Sequence, residues 1–311
     1  NRKMTLVLKQ MVVLFLMMTT GYVANKCGIM TQQSEQLFSK LIVNITCPAL
    51  IINSVTTSAR LESTAALFVI FGAAAAYYVM LPFVCKGIVR VLRVPAEQTA
   101  EYESMLLYSN IGFMGIPVAN VVLGSDSILY LSIFMAVFNI SVFSYGTLLM
   151  QKSTGAAGGV SFKKMINPGT VSAVAALLLY LLEVHLPDII LQPVASLGGV
   201  TTPLAMLVIG SSLARQPMRQ VLQEKSLCPF TVVRLLVLPV LTLLLCKGLV
   251  SDPMLAGVLV LVSAMPVASN IVMICNELGK DSSYISKGVF FSTVFSIVTL
   301  PLISMLIGAA A

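Results

Sequence analysis

Charged side chains are scarce in this chain of 311 residues. Asp, Glu, Lys and Arg make up 10% of the sequence, 58% is hydrophobic, and the mean hydropathy is +0.96. Soluble globular chains carry about 25% charged residues. The composition therefore excludes a soluble domain and predicts a polytopic membrane protein. The basic residues lie in short links between apolar segments, where they act as topology signals, so no nucleic-acid partner is expected despite a pI of 9.1.

The motifs of common enzyme and metal-binding classes are missing as well. The sequence has no HExxH, GxSxG or P-loop pattern, and it contains one histidine. Its six cysteines include no CxxC pair, which predicts free thiols. We therefore expect that the protein is not an enzyme and that it binds neither a metal nor a cofactor.

Carboxylates are missing from the middle of every apolar segment. All twelve Asp and Glu lie in links or near predicted helix ends. Because intramembrane carboxylates are the usual proton relays, this pattern argues against proton antiport. Sodium coupling stays open, since backbone carbonyls and Asn, Ser or Thr side chains can hold Na⁺.

What the sequence does contain is a series of apolar runs long enough to cross about 30 Å of hydrocarbon. They predict ten transmembrane helices with short links, at 5–24, 35–55, 63–85, 104–124, 127–150, 168–186, 189–213, 227–249, 253–276 and 284–308.

The longest link, 151–167, divides the chain into halves at 1–150 and 168–311. Most Lys and Arg fall in or beside the odd-numbered links, which places those links in the cytoplasm and both termini outside. Because each half has five helices, equivalent helices run in opposite directions. If the halves share a fold, they form an inverted repeat.

Prolines recur in helix order in the two halves, which supports the repeat. The pairs are Pro48 with Pro203, Pro82 with Pro239, and Pro117 with Pro266. Proline breaks a helix and is favoured at the first position of a new one. The sequence around Pro117 (Pro-Val-Ala-Asn) also resembles that around Pro266 (Pro-Val-Ala-Ser-Asn).

These matched breaks predict that helices 4 and 9 are interrupted and cross near the membrane midplane. New helices starting at Pro117 and Pro266 would aim two positive N-termini at one cavity, which is a site for an anion. Asn110 and Asn270 offer amide donors there and Ser269 a hydroxyl. Gly112 and Gly115 would let a ligand or the crossing helix approach the backbone closely.

Arg234 is the one clearly intramembrane charge, eight residues into the predicted helix 8. It either draws anions inwards from the cytoplasm or snorkels to the nearby interface, and we favour snorkelling.

Four stretches carry a resemblance to a known family: Asn110-Ile-Gly-Phe-Met-Gly-Ile-Pro117, Asn44-Ile-Thr-Cys-Pro48-Ala-Leu, Thr202-Pro203-Leu-Ala-Met-Leu-Val-Ile-Gly210 and Ala264-Met-Pro266-Val-Ala-Ser-Asn270. Over nearly its whole length the chain resembles the auxin efflux carrier (PIN-like) family, in particular its bacterial malonate- or malate-permease-like members.

The resemblance implies an all-α fold of two inverted five-helix repeats, similar to bile-acid/sodium symporters and sodium/proton antiporters. Helices 1, 2, 6 and 7 would form a scaffold, and helices 3–5 and 8–10 a moving transport domain. A substrate carboxylate would bind at the crossing of helices 4 and 9, and the family's Asn falls on Asn110. Plant members have Pro-Gln-Gly where this chain has Pro266-Val-Ala, so auxin is not the expected substrate.

Together these arguments predict a secondary carrier for a small organic carboxylate in a prokaryotic plasma (inner) membrane, working as an elevator-type uniporter for efflux. The alternatives are a sodium- or proton-coupled symporter and a ligand sensor that keeps the fold. A homodimer through the scaffold is expected. The predicted binding residues are Asn44, Asn110, Gly112, Gly115, Ile116, Pro117, Pro266, Ser269 and Asn270, and the predicted helix breaks are Pro48, Pro117, Pro203 and Pro266.

Overall fold

A computed structural model describes residues 2–57, 64–152, 168–182, 184, 186–215, 226–268, 270–277 and 282–310. Within these ranges the regular structure is helical, which confirms the predicted all-α class. The helices are grouped into units that we number in chain order: α1 (Arg2–Lys26), α2 (Gln32–Leu41, Ile42–Thr46, Cys47–Thr57), α3 (Thr64–Val91), α4 (Thr99–Leu107, then Ile111–Gly115 and Ile116–Val122), α5 (Ser127–Ser141, Val142–Gly146, Thr147–Lys152), α6 (Pro168–Leu181), α7 (Asp188–Gly199, Thr201–Arg215), α8 (Leu227–Val232, Val233–Val237, Leu238–Leu249), α9 (Pro253–Ala264, Asn270–Glu277) and α10 (Ser283–Ala310).

Six of the described helices are long and apolar enough to cross a membrane: Gln32–Asn53, Ala65–Val91, Ser127–Gln151, Asp188–Arg215, Leu227–Leu249 and Ser283–Ile307. Large apolar side chains on their outer faces, such as Phe68, Val79 and Leu244, are exposed. Such a surface suits lipid and is unfavourable in water. The spans therefore describe an integral membrane protein. That all ten units cross the membrane, as an inverted repeat, stays a prediction.

Prolines act on these helices differently from what the sequence predicts. Pro48 and Pro117 each follow a π-helical turn, Ile42–Thr46 and Ile111–Gly115, and the helix continues through both prolines. A π turn displaces the carbonyl that a proline ring would otherwise meet. The predicted breaks at Pro48 and Pro117 are therefore wrong. Pro203 does lie just after an interruption, because the first helix of α7 ends at Gly199 and the second begins at Thr201.

The helices pack in two neighbourhoods. α1 lies along the second helix of α7, and α2 packs against α6 and the first helix of α7. The first helix of α4 packs against α3, α5 and α10, and α8 packs against α9. In Ser127–Ser141 and Pro253–Ala264 most residues are buried, so these two helices lie at the centre of the protein.

The predicted linker at 151–167 lies outside the described residues after its first two positions. The division into scaffold and transport domains stays a prediction.

Candidate functional site

Both α4 and α9 are interrupted by extended backbone in the interior. The first helix of α4 ends at Leu107, and Tyr108 has φ −105° and ψ 112°. The first helix of α9 ends at Ala264, and Met265 has φ −65° and ψ 146°. Backbone N–H and C=O groups freed in this way must find partners, because there is no water in lipid to satisfy them.

The two interruptions satisfy each other. The Asn110 N–H donates to the Pro266 carbonyl at 2.8 Å, and the Ala268 N–H donates to the Tyr108 carbonyl at 2.9 Å. Ser109 and Val267 thereby form a short antiparallel bridge, and both segments are buried. We call this the crossing: Tyr108–Asn110 together with Pro266–Ala268.

A third element fixes the crossing. The Val267 N–H donates to the Ser292 hydroxyl of α10 at 3.1 Å, and that hydroxyl in turn donates to the Val289 carbonyl. On the α4 side, the Gly115 N–H donates to the Asn110 carbonyl at 2.9 Å and starts the next helix. The crossing is therefore held by α4, α9 and α10 together.

Both helices restart beside the crossing, but not at the predicted residues. In α4 the helical turn resumes at Ile111, six residues before Pro117, and in α9 the helix resumes at Asn270, four residues after Pro266. Pro117 has helical backbone before it, and Pro266 lies in the extended segment. The new helix of α9 therefore does not start at Pro266, whereas Pro117 lies in the first turn of the α-helix Ile116–Val122 that follows the π turn directly. That the two helix starts face one binding cavity stays a prediction.

Arg234 of α8 lies against the crossing. Its side chain is fully buried. One guanidinium nitrogen, Nη1, donates to the Leu106 carbonyl at 3.1 Å, and Nη2 donates to the Ser109 hydroxyl. The favoured prediction that Arg234 snorkels to the membrane surface is therefore wrong. Leu106 lies in the last turn of its helix, where carbonyls lack helical partners and a cation is favourable.

Two tyrosines of α3 lie near the crossing, because the Phe138 ring packs on both Tyr78 and Tyr108. The rings of Tyr77 and Tyr78 are edge-to-face with centroids 5.2 Å apart, and Tyr78 also packs edge-to-face on Phe138. Neither hydroxyl, nor the Arg234 Nε, has a hydrogen-bond partner among the described residues, although all three atoms are buried. The sequence analysis missed the tyrosines, since nothing in α3 sets them apart from other core aromatics.

The predicted binding residues divide into three groups. Asn110, Ile116 and Pro266 are buried at or beside the crossing. Asn270 starts the second helix of α9 and is half-buried, while Ser269 lies outside the described residues. Asn44 is exposed on α2, and its amide donates to the Lys40 carbonyl of its own helix.

Gly112 and Gly115 are not points where another helix packs closely against α4. A methyl group added to Gly112 would meet nothing nearer than the Met135 sulfur at 4.0 Å, and one added to Gly115 would lie at an ordinary 3.5 Å from its own helix. The prediction that the crossing helix approaches these glycines is therefore wrong. That a ligand approaches the backbone at Gly112 stays a prediction.

Two of the described carboxylates are buried, Glu35 of α2 and Glu103 of α4, and the burial of Glu103 near the crossing is contrary to expectation. Glu103 lies inside the first helix of α4 with 2% of its surface exposed, and it accepts a hydrogen bond from the Tyr145 hydroxyl at 2.8 Å. It also lines a cavity of about 680 Å³ whose walls carry Lys86, Arg90 and Arg93. The apolar run that predicts helix 4 begins at residue 104, so the sequence analysis places Glu103 at the end of that helix. In the structure the first helix of α4 begins at Thr99 and includes Glu103.

No group of three or more metal-binding side chains occurs among the residues the structure describes.

Apolar spans with two interrupted helices that bond to each other in the interior are typical of membrane transport proteins, because such breaks are tolerated only where protein or a cavity satisfies the backbone. The family comparison agrees with this class. A model described as "Membrane transport protein" matches residues 6–160 and 156–304. The chain belongs to this family, the auxin efflux carriers, which confirms the resemblance drawn from the motifs.

Two relatives match over most of their length. The chain is 24% identical to a protein of Rhizobium meliloti (strain 1021) named "Putative malonate transporter", over 87% of this chain and 86% of that one. It is 23% identical to an "Uncharacterized transporter" of Methanothermobacter thermautotrophicus (strain Delta H), over 92% of this chain and 94% of the other. The family identifies the chain as a membrane transporter and not an enzyme.

Proposed function

We propose that the protein is a secondary transporter for a small organic carboxylate, which binds at the crossing of α4 and α9. The observation that carries this proposal is the pair of backbone hydrogen bonds between Asn110 and Pro266 and between Ala268 and Tyr108. It brings two helix starts to one buried place, at Ile111 and Asn270. Helix N-termini present free N–H groups and partial positive charge, which favours an anion.

Arg234 adds a positive charge to that of the two helix N-termini. Arg234 is fully buried beside Ser109, and among the described residues it takes part in no ion pair. A buried charge is costly unless it is paired. A carboxylate bound here would lower that cost, and the relative named as a malonate transporter supports this substrate class.

The proposed mechanism is an elevator-type uniport that leads to efflux. The packing of α1, α2, α6 and α7 on one another supports a scaffold, and α3, α4, α5, α8, α9 and α10 would move with the crossing. The crossing supports an inverted repeat, because it pairs one break from each half of the chain, at Ser109 and Val267. Cells with a negative interior drive anions outwards with about 2.3 kcal/mol per charge per 100 mV.

The remaining parts of the proposal follow from the family and the charge pattern. They are a prokaryotic inner membrane, both termini outside, and a homodimer through the scaffold, with α2 or α7 at its interface.

A second candidate is proton-coupled transport, which Glu103 supports. Its carboxylate is buried in the first helix of α4, three residues before Leu106, whose carbonyl accepts a hydrogen bond from Arg234. Glu103 also borders the cavity lined by Lys86 and Arg90. A buried carboxylate with access to a cavity can carry a proton.

The test is the transient current from proteoliposomes on a solid support. Malonate, malate, pyruvate, indole-acetate and taurocholate are applied in turn, in potassium and sodium buffers, with and without a proton gradient. The proposal predicts a carboxylate current that needs neither sodium nor a proton gradient. A current that requires a proton gradient and disappears in Glu103→Gln would establish the second candidate instead. A sodium requirement would indicate a sodium symporter, and binding without current would indicate a sensor.

A further inference from the structure

The cavity beside Glu103 carries a positive charge that the proposed substrate site does not use. Its volume of about 680 Å³ is within the range of ligand sites. It lies between the end of α3 and the start of α4, and its walls include Lys86, Arg90 and Arg93. All three cations are exposed, and none forms an ion pair with a carboxylate of the described residues. The cavity is therefore suited to an anion from outside the chain.

A carboxylate lines the same cavity, but it has a partner within the protein. Glu103 is buried, and the Tyr145 hydroxyl donates to it at 2.8 Å. The Lys86 ammonium lies 5.7 Å from the centroid of the same tyrosine ring, so these three side chains form one connected group. Because three cations and one carboxylate line the cavity, its lining has a net positive charge at neutral pH.

One face of α3 changes from apolar to basic at this cavity. Phe83, Lys86 and Arg90 are three and then four residues apart, which places them on the same side of the helix. Phe83 lines the cavity and still has 67% of its surface exposed, within the apolar span Ala65–Val91. A large exposed apolar side chain on such a span suits contact with lipid. The cavity therefore opens where the apolar surface of α3 meets its basic end.

Arg93 occupies a backbone position that favours glycine. It follows the end of α3 with a φ of 52°. Its N–H donates to the Arg90 carbonyl, and the Val94 N–H donates to the Val89 carbonyl, both at 3.2 Å. This is the Schellman pattern of a helix end, in which the left-handed residue is usually glycine. An arginine is strained there, and strain of this kind is often retained at functional positions.

We propose that the cavity binds the phosphate headgroup of an anionic membrane lipid. Lys86, Arg90 and Arg93 would contact the headgroup, and Phe83 would lie beside an acyl chain. Guanidinium and ammonium groups are common partners of phosphate, and basic pockets at the ends of membrane spans attract anionic lipids. A lipid is favoured over a soluble anion because the same wall of the cavity carries the exposed Phe83.

The test is lipid binding to the full chain in neutral detergent, measured by native mass spectrometry. Phosphatidylglycerol, phosphatidylcholine and soluble glycerol 3-phosphate are titrated in turn, which separates the net charge of the headgroup from the acyl chains. The variants are Lys86→Gln, Arg90→Gln, Arg93→Gly and the triple variant. Lys26→Gln is the matched control, because Lys26 also lies exposed in the last turn of a helix with its ammonium 5.6 Å from a tyrosine centroid, but does not line the cavity.

We expect the wild type to bind phosphatidylglycerol more tightly than either other ligand. Each single variant should lower that affinity about fivefold, as expected for one basic residue at a membrane surface, and Lys26→Gln should bind like the wild type. The lipid-free unfolding temperature of Arg93→Gly should rise, because glycine adopts a positive φ without strain. Weaker lipid binding by this variant would then not result from a damaged fold.

Three results would overturn the inference. Equal affinity for phosphatidylglycerol in the triple variant and the wild type would show that the three cations do not bind lipid. An equal loss of affinity in Lys26→Gln would show a general attraction to surface charge instead of a site. Glycerol 3-phosphate that binds as tightly as phosphatidylglycerol would identify the ligand as a soluble anion.

Discussion

The closest helix contact in the protein predicts a strong effect of one added methyl group. A Cβ atom at Gly210 of α7 would lie 1.8 Å from the Met18 carbonyl oxygen of α1, and one at Gly21 would lie 2.2 Å from the Leu207 oxygen. Ordinary Cβ contacts begin near 3.4 Å. Gly210→Ala therefore requires α1 and α7 to separate by roughly 1.5 Å, which also strains the hydrogen bond from Asn25 to Ser211.

Overpacking of this kind costs about 1–3 kcal/mol, and more where backbone must move. For a chain of this size that corresponds to a fall of roughly 2–12 °C in the unfolding temperature. Thermal unfolding of the purified protein, followed by intrinsic tyrosine fluorescence or by aggregation, measures it. Gly72→Ala is the matched control, because Gly72 lies inside α3 with nothing within 4 Å of an added methyl group. That variant should keep or slightly gain stability from helix propensity. Equal unfolding temperatures for Gly210→Ala and the wild type would refute the close packing of α1 on α7.

Two further predictions concern buried carboxylates. Glu35 of α2 accepts hydrogen bonds from the Ser211 hydroxyl at 2.5 Å and from the Arg215 Nε at 2.9 Å. Glu35→Gln should therefore destabilise the protein by about 1–3 kcal/mol in thermal unfolding. The control is Glu97→Gln, because the Glu97 side chain is exposed, and equal stability of the two variants would contradict the link between α2 and α7. Tyr145→Phe should lower stability by about 1–3 kcal/mol, because Glu103 loses the hydroxyl that donates to it, and an unchanged unfolding temperature would show that Glu103 has another donor.

The helices could be predicted from the sequence because apolar runs report burial in lipid directly. Every predicted helix range overlaps a helical unit of the structure. The interruptions could be located only approximately. Pro266 does lie in the break of α9, whereas the break of α4 at Tyr108–Asn110 contains no proline at all. It exists because a second extended strand, Pro266–Ala268, pairs with it, and a pairing between distant segments leaves no local signal.

The site illustrates the same limit. Asn110 could be picked out because a polar residue in an apolar run must find a partner, and it does lie at the crossing. Arg234 was noticed for the same reason, but its distance from the helix start suggested the membrane surface. Its actual environment depends on Leu106, at the end of the first helix of α4, and on Ser109 in the break that follows. Sequence position along α8 could not show that.

The central claim is that a carboxylate crosses the membrane at the contact between α4 and α9. The most direct measurement compares the carboxylate-induced current of Asn110→Ala and Asn270→Ala with that of Asn120→Ala, at equal amounts of folded protein in proteoliposomes. Asn120 is the matched control, because it lies on the same helix as the Asn110 motif but on an exposed face. The account predicts that the current is lost in the first two variants and kept in Asn120→Ala. Wild-type currents in both Asn110→Ala and Asn270→Ala would contradict it.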